Sequence, residues 1–118
     1  MASPDSDAVS AAVAALDAGL QVDRTVLRDA VRVLLAALRQ RAPGRSVEMR
    51  VPPYGAIQCV EGPAHTRGTP PNVVETDPIT FVLLATARLT WPDAVRDGRV
   101  TASGVRADLS PYLPVWTP

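Results

Sequence analysis

The chain has 118 residues, and its twelve basic and twelve acidic side chains give a formal net charge of zero. That length sets one domain as the prior, with enough chain for one core. The balanced charge excludes a global field for nucleic acid or anionic lipid, so no nucleic-acid partner is expected.

Every basic residue is Arg, and Ala, Val and Pro abound, a bias of the kind a GC-rich genome leaves. The opening MASPDSDAVS holds Asp5 and Asp7 and no basic residue before Arg24, which argues against a secretory or transit leader. The closing VWTP is no peroxisomal address. No apolar run approaches bilayer length, so stable membrane insertion is not expected and the expected location is cytoplasmic. The single cysteine, Cys59, excludes an internal disulfide. In an apolar strand it reads as an inert buried thiol, the alternative being a reactive one.

The first helix candidate is Ser6–Ala18, with a stripe of Val9, Val13, Leu16 and Leu20 and Gly19 as its C-terminal cap. Asp23 then caps a longer helix, Arg24 to Gln40. Its apolar face is Val26, Leu27, Ala30, Val31, Leu34, Leu35 and Leu38, and Arg24, Arg28 and Arg32 form a solvated or acid-binding ridge opposite. Val47–Val51 alternates, Pro52-Pro53-Tyr54-Gly55 is turn chemistry, and Ala56–Glu61 returns, so the pair reads as an antiparallel hairpin.

Val73 and Val74 begin a third strand. Thr76 or Asp77 caps a helix from Pro78 to Arg88, where Pro at the first position costs nothing. Thr90 caps a short helix, Trp91–Asp97, which Gly98 ends. Arg99–Gly104 alternates as a half-buried strand with Val100 and Ala102 inward. A last short helix follows Asp108 and Ser110.

The irregular stretch EGPAHTRGTPP, residues 61–71, is the one long loop, and such loops often carry function. It holds the only histidine. One His with scattered carboxylates is thin for a metal site, and a general base there lacks an orienting partner. The reading adopted is a polar network of His65, Arg67, Glu75 and Asp77 that pins the loop over a sheet end. No phosphate loop, cysteine pair or serine nucleophile motif is present, so no metal, cofactor or catalytic residue is assigned.

The run Thr76–Asp108, with its WPDA, GRV and ASG segments ahead of VRADL, resembles sterol carrier protein 2-like domains. The upstream run EMRVPPYGAIQCVEGPAHTRGTPPNVVETDP is similar to the actinobacterial branch of the sterol carrier family, and HTRGTPPNVVE is its specific part. The resemblance covers roughly Leu27 to Leu113 and is expected to sit within a single domain, residues 1–118, with 1–22 an additional N-terminal helix. It implies an α/β (α+β) fold: a small mixed or antiparallel sheet covered on one face by helices, with an apolar cavity between the layers. Four strands are read here where the family's sheet usually has five.

The resemblance implies a non-enzymatic carrier whose partner is an apolar small molecule, a lipid or sterol-like ligand. The expected lining is Val31, Leu34 and Leu35 from the long helix, Met49 and Ile57 from the hairpin, and Phe81 and Leu84 from the next helix. The alternative is a protein-interaction or regulatory module that kept the fold without the cavity. A third reading is an enzyme accessory, since such domains also occur appended to thiol-dependent isomerases.

Overall fold

The computed structural model of the chain describes residues 4–63 and 72–117. In chain order these form α1 (Pro4–Asp17), α2 (Arg24–Arg41), β1 (Val47–Val51), β2 (Gly55–Cys59), β3 (Asn72–Thr76), α3 (Pro78–Ala85), α4 (Trp91–Arg96), β4 (Val100–Ser103) and a 3-10 turn, Ser110–Tyr112.

Side-chain caps set the helix starts. The Asp23 carboxylate accepts from the N–H groups of Thr25 and Val26 at 2.9 and 3.1 Å. Asp77 Oδ2 accepts from the Thr80 N–H at 3.0 Å, with Pro78 in the first turn. Asp77 is therefore the α3 cap, and Thr76 is a buried strand residue whose hydroxyl donates to the Arg99 carbonyl at 2.6 Å. Thr90 Oγ1 accepts from the Asp93 N–H and starts α4.

Some ends differ from the sequence expectation. Helix α3 stops at Ala85, three residues short of Arg88. The Thr86 hydroxyl bonds back to the Val82 carbonyl at 2.7 Å, and Ala87 adopts a φ of 65°, which no helix tolerates. Helix α1 stops at Asp17, so Leu20 is not part of its stripe and stands 65% exposed.

The sheet order is β2-β1-β3-β4. Strands β1 and β2 pair as the expected antiparallel hairpin, β1 and β3 run parallel, and β3 and β4 are antiparallel, so the sheet is mixed. The chain leaves the sheet's edge at β2 and re-enters the sheet as β3 on the far side of β1. Alternation puts Val47, Met49, Val51 and Val74 on one face, all buried, while Glu48, Arg50 and Glu75 point the other way.

Helices cover that buried face. Leu34, Leu38 and Phe81 are fully buried and Leu84 nearly so. Helix α2 packs on α1, β2 and α3. The cover over β4 is partial: Val100 is buried, but Ala102, opposite Val74 on the same face, is exposed, contrary to its expected inward role.

Buried polar groups tie the strand ends together. Asn72 Nδ2 donates to the Ser46 carbonyl at 2.7 Å, and its Oδ1 accepts from the Arg106 N–H at 2.9 Å. One side chain thus links the starts of β1 and β3 to the segment after β4. Ser46 and Val60 close the hairpin's open end, the Ser46 hydroxyl donating to the Val60 carbonyl at 2.7 Å. Gly44, at a φ of 148°, lies so close that a Cβ there would overlap that carbonyl. Arg88 clamps Asp17 with two bonds of 3.0 and 2.9 Å, joining the segment after α3 to the end of α1. Among the described residues no helix is long and apolar enough to cross a membrane.

Two stability effects follow. Leu34 has no exposed surface, so Leu34→Ala is expected to lower unfolding free energy by about 2–5 kcal/mol in a denaturant titration. A loss below the error of the titration would mean the helix layer is not tightly packed.

Asp77→Ala should cost about 1 kcal/mol through the lost cap. Burial raises the Asp77 pKa, but the Thr80 hydroxyl and N–H and the charge of Arg99 together outweigh it and hold the carboxyl below its ordinary value. A depressed folded pKa means this contribution is complete above the unfolded value of about 4 and fades as pH falls through the folded one. The stability difference between wild type and Asp77→Ala should therefore be constant at neutral pH and shrink in acid. A difference that grows in acid would contradict the cap.

Candidate functional site

Helix α2 runs along β2 in the same direction. Near one end Arg32 Nε donates to the Tyr54 carbonyl at 3.2 Å, and at the other the Val60 N–H donates to the Ala42 carbonyl at 2.7 Å. The approach is close because Gly55 has no side chain: a Cβ there would sit 3.2 Å from Leu35 Cδ1. Strand β2 is an edge strand, so the helix and strand leave an open groove of about 690 Å³ at the side of the molecule.

The groove's lining divides by chemistry. Leu35, Ala36, Pro43, Gly55, Ala56 and Ile57 give it an apolar floor. Arg32 and Arg39, one α2 face seven residues apart, and Arg45, from the loop after α2, give it a cationic rim. Gln40 is the other polar member. Arg45 Nε is held by the Gln58 side-chain oxygen at 3.1 Å, and the mid-strand Gln58 finds its partner there. Among the described residues no carboxylate lines the groove, and none of the three arginines is in a salt bridge. This surface supplies positive charge, N–H donors and apolar contact; among the described residues its lining holds no imidazole, thiol or hydroxyl.

The seven expected lining residues separate. Leu35 and Ile57 line the groove. Val31, Leu34, Met49 and Phe81 pack in the core at 0–1% exposure. Leu84 is nearly buried and also borders a second hollow of about 250 Å³ beside Trp91 and Leu113.

The expected loop network falls partly outside the described residues, which exclude His65 and Arg67. Within them, Asp77 belongs to a chain of bonds of its own. Thr80 Oγ1 donates to Asp77 Oδ1 at 2.6 Å, and Arg99 Nε donates to Thr80 Oγ1 at 3.1 Å. Glu75 is exposed on the outer face, between Arg50 and Thr101 in register.

Sequence reasoning missed Arg39 and Arg45 and read Arg32 only as part of the ridge with Arg24 and Arg28. The available signal was Arg32, Leu35, Ala36 and Arg39 at one-face spacing, flanking the apolar stripe of α2. Which flank overhangs a sheet edge is settled only by tertiary packing.

Cys59 lies fully buried at the end of β2, and burial pushes its thiol up to about 11. At pH 8 a thiol-specific reagent should leave the native protein unmodified and label it once it is unfolded. Rapid stoichiometric labelling of the folded protein would refute the inert reading.

No curated protein matches the chain. A family model described as bacterial SCP ortholog matches residues 23–115, the span from the α2 cap to the segment that docks on Ala85. With that span comprising most of the sequence and the mixed sheet under its helical layer, the chain belongs to the bacterial sterol carrier protein orthologs.

Proposed function

We propose that the protein is a non-enzymatic carrier that holds an apolar lipid or sterol-like ligand in the groove between α2 and β2. The observation that carries this reading is the groove itself: about 690 Å³, with an apolar floor, in a chain of a carrier family. That volume lies in the range of small-molecule sites. The arginine rim favours an amphiphile whose polar end is anionic, since the guanidinium fork pairs with carboxylate and phosphate oxygens.

The magnitude is adequate for binding but not for a tight complex. Burying about ten methylenes gains roughly 8 kcal/mol. That equals about micromolar affinity before the losses from ordering the chain and from an open side. Core positions such as Val31 and Phe81 act as packing under this reading, and the ligand contacts fall to Leu35, Ala36 and Ile57.

Titration with a fluorescent fatty acid tests it. Saturable binding is expected, and Ala36→Trp, which fills the groove from an exposed position, should abolish it while leaving the fold's melting temperature close to wild type. Arg39→Glu should weaken an anionic probe about tenfold and leave its methyl ester unaffected. An absence of saturation up to the probe's solubility, or binding that survives Ala36→Trp, would overturn the reading.

A further inference from the structure

We infer that β2 is a docking edge that takes an extended acidic segment of a partner protein as an added strand. Edge strands present unpaired N–H and C=O groups, and proteins ordinarily blunt them with charged residues, Pro or bulges. Strand β2, Gly-Ala-Ile-Gln-Cys, carries none of these charges or prolines.

Its register shows which groups are available. The Val51 carbonyl faces β2, accepting from the Tyr54 N–H, and Pro52 has no N–H to offer, so Val51–Gly55, Met49–Ile57 and Val47–Cys59 are the hydrogen-bonded pairs with β1. The N–H and C=O of Ala56 and Gln58 therefore point away from the sheet. Among the described residues no other backbone group pairs with them.

The surroundings specify the occupant. Arg32 stands at the Tyr54 end of the strand, Arg45 at Gln58, and Arg39 above from α2, with no carboxylate among the described lining residues. An added strand running beside β2 would alternate its side chains between the apolar floor under α2 and the outer face beside Gln58. Acidic residues within it would meet guanidinium groups at both ends.

The opposite edge lacks this character. Strand β4 has four residues, and the hollow beside it sets Glu75 and Asp77 next to Arg99. The inference stands on the edge backbone and the arginines and does not require the lipid reading.

The test is selection of short randomised peptides displayed on phage against the full chain, followed by amide NMR with a selected synthetic peptide. Enrichment of sequences rich in Asp and Glu is expected. The Ala56 and Gln58 amide signals should shift on titration, and Arg39→Glu should weaken binding about tenfold without changing the melting temperature. Failure to enrich any peptide, enrichment of neutral or basic ones, or shifts that spare Ala56 and Gln58 would each overturn the inference. Since the fatty-acid titration uses no peptide and the selection no lipid, failure of one is distinguishable from failure of the other.

Discussion

The rest of the structure depends on α2 lying along the sheet. Six of its residues are buried, from Leu27 to Leu38, and at about 2 kcal/mol for each large aliphatic side chain this is a major source of stability in so small a protein. The stripe bridges three partners at once: β2 beneath, α1 and α3 to the sides. Ala-rich α1 has few large side chains to bury, so its place is set by the α2 surface it meets. The sheet's position under α2 in turn decides where the molecule is solid and where it is open. Over β1 and β3 the helices fill the space; past β2, the helix extends beyond the last strand and leaves the groove.

Much of this architecture was legible because local rules and tertiary packing agree. Asp23, Asp77 and Thr90 each start a helix with a side-chain bond that the sequence signals directly. The alternation of Val47, Met49 and Val51 fixed the buried face of β1, and the proline-rich turn fixed its hairpin with β2. Discrepancies arose where a local feature needed its tertiary partner. Ala87 looked like a helix position until its left-handed φ ended α3 two residues earlier, at Ala85. Ala102 shares the face of Val74 but is exposed, and nothing in the strand's own pattern tells how far a helix reaches over it.

The site was less legible than the fold for a related reason. Apolar residues on a helix face mark the side that is buried, not the part that stays open to a ligand. Val31, Leu34 and Leu35 share one stripe, yet only Leu35 sits where α2 passes the sheet edge. Polar residues on that flank, Arg32 and Arg39, gain meaning only beside Gly55 and Ile57, which are more than fifteen residues away in sequence. Asn72 is another such case: the chain's single asparagine, silent in the periodicity, yet buried and bonded to two separate segments.

The arginines also bear on why a neutral edge strand is tolerated. An unguarded edge invites pairing with a second copy of the same chain. Here the guard has moved from the strand to its neighbours on α2 and the following loop. Two copies meeting edge to edge would bring Arg32, Arg39 and Arg45 of each against those of the other, with no carboxylate among the described lining residues to relieve them. Like charges juxtaposed at an interface are a means of rejecting a wrong partner. The same three cations reward an anionic one, whether the acidic end of an amphiphile or an acidic strand. A neutral strand under a cationic rim thus discriminates by the occupant's charge, while the backbone and the apolar floor supply contacts that any extended chain can use.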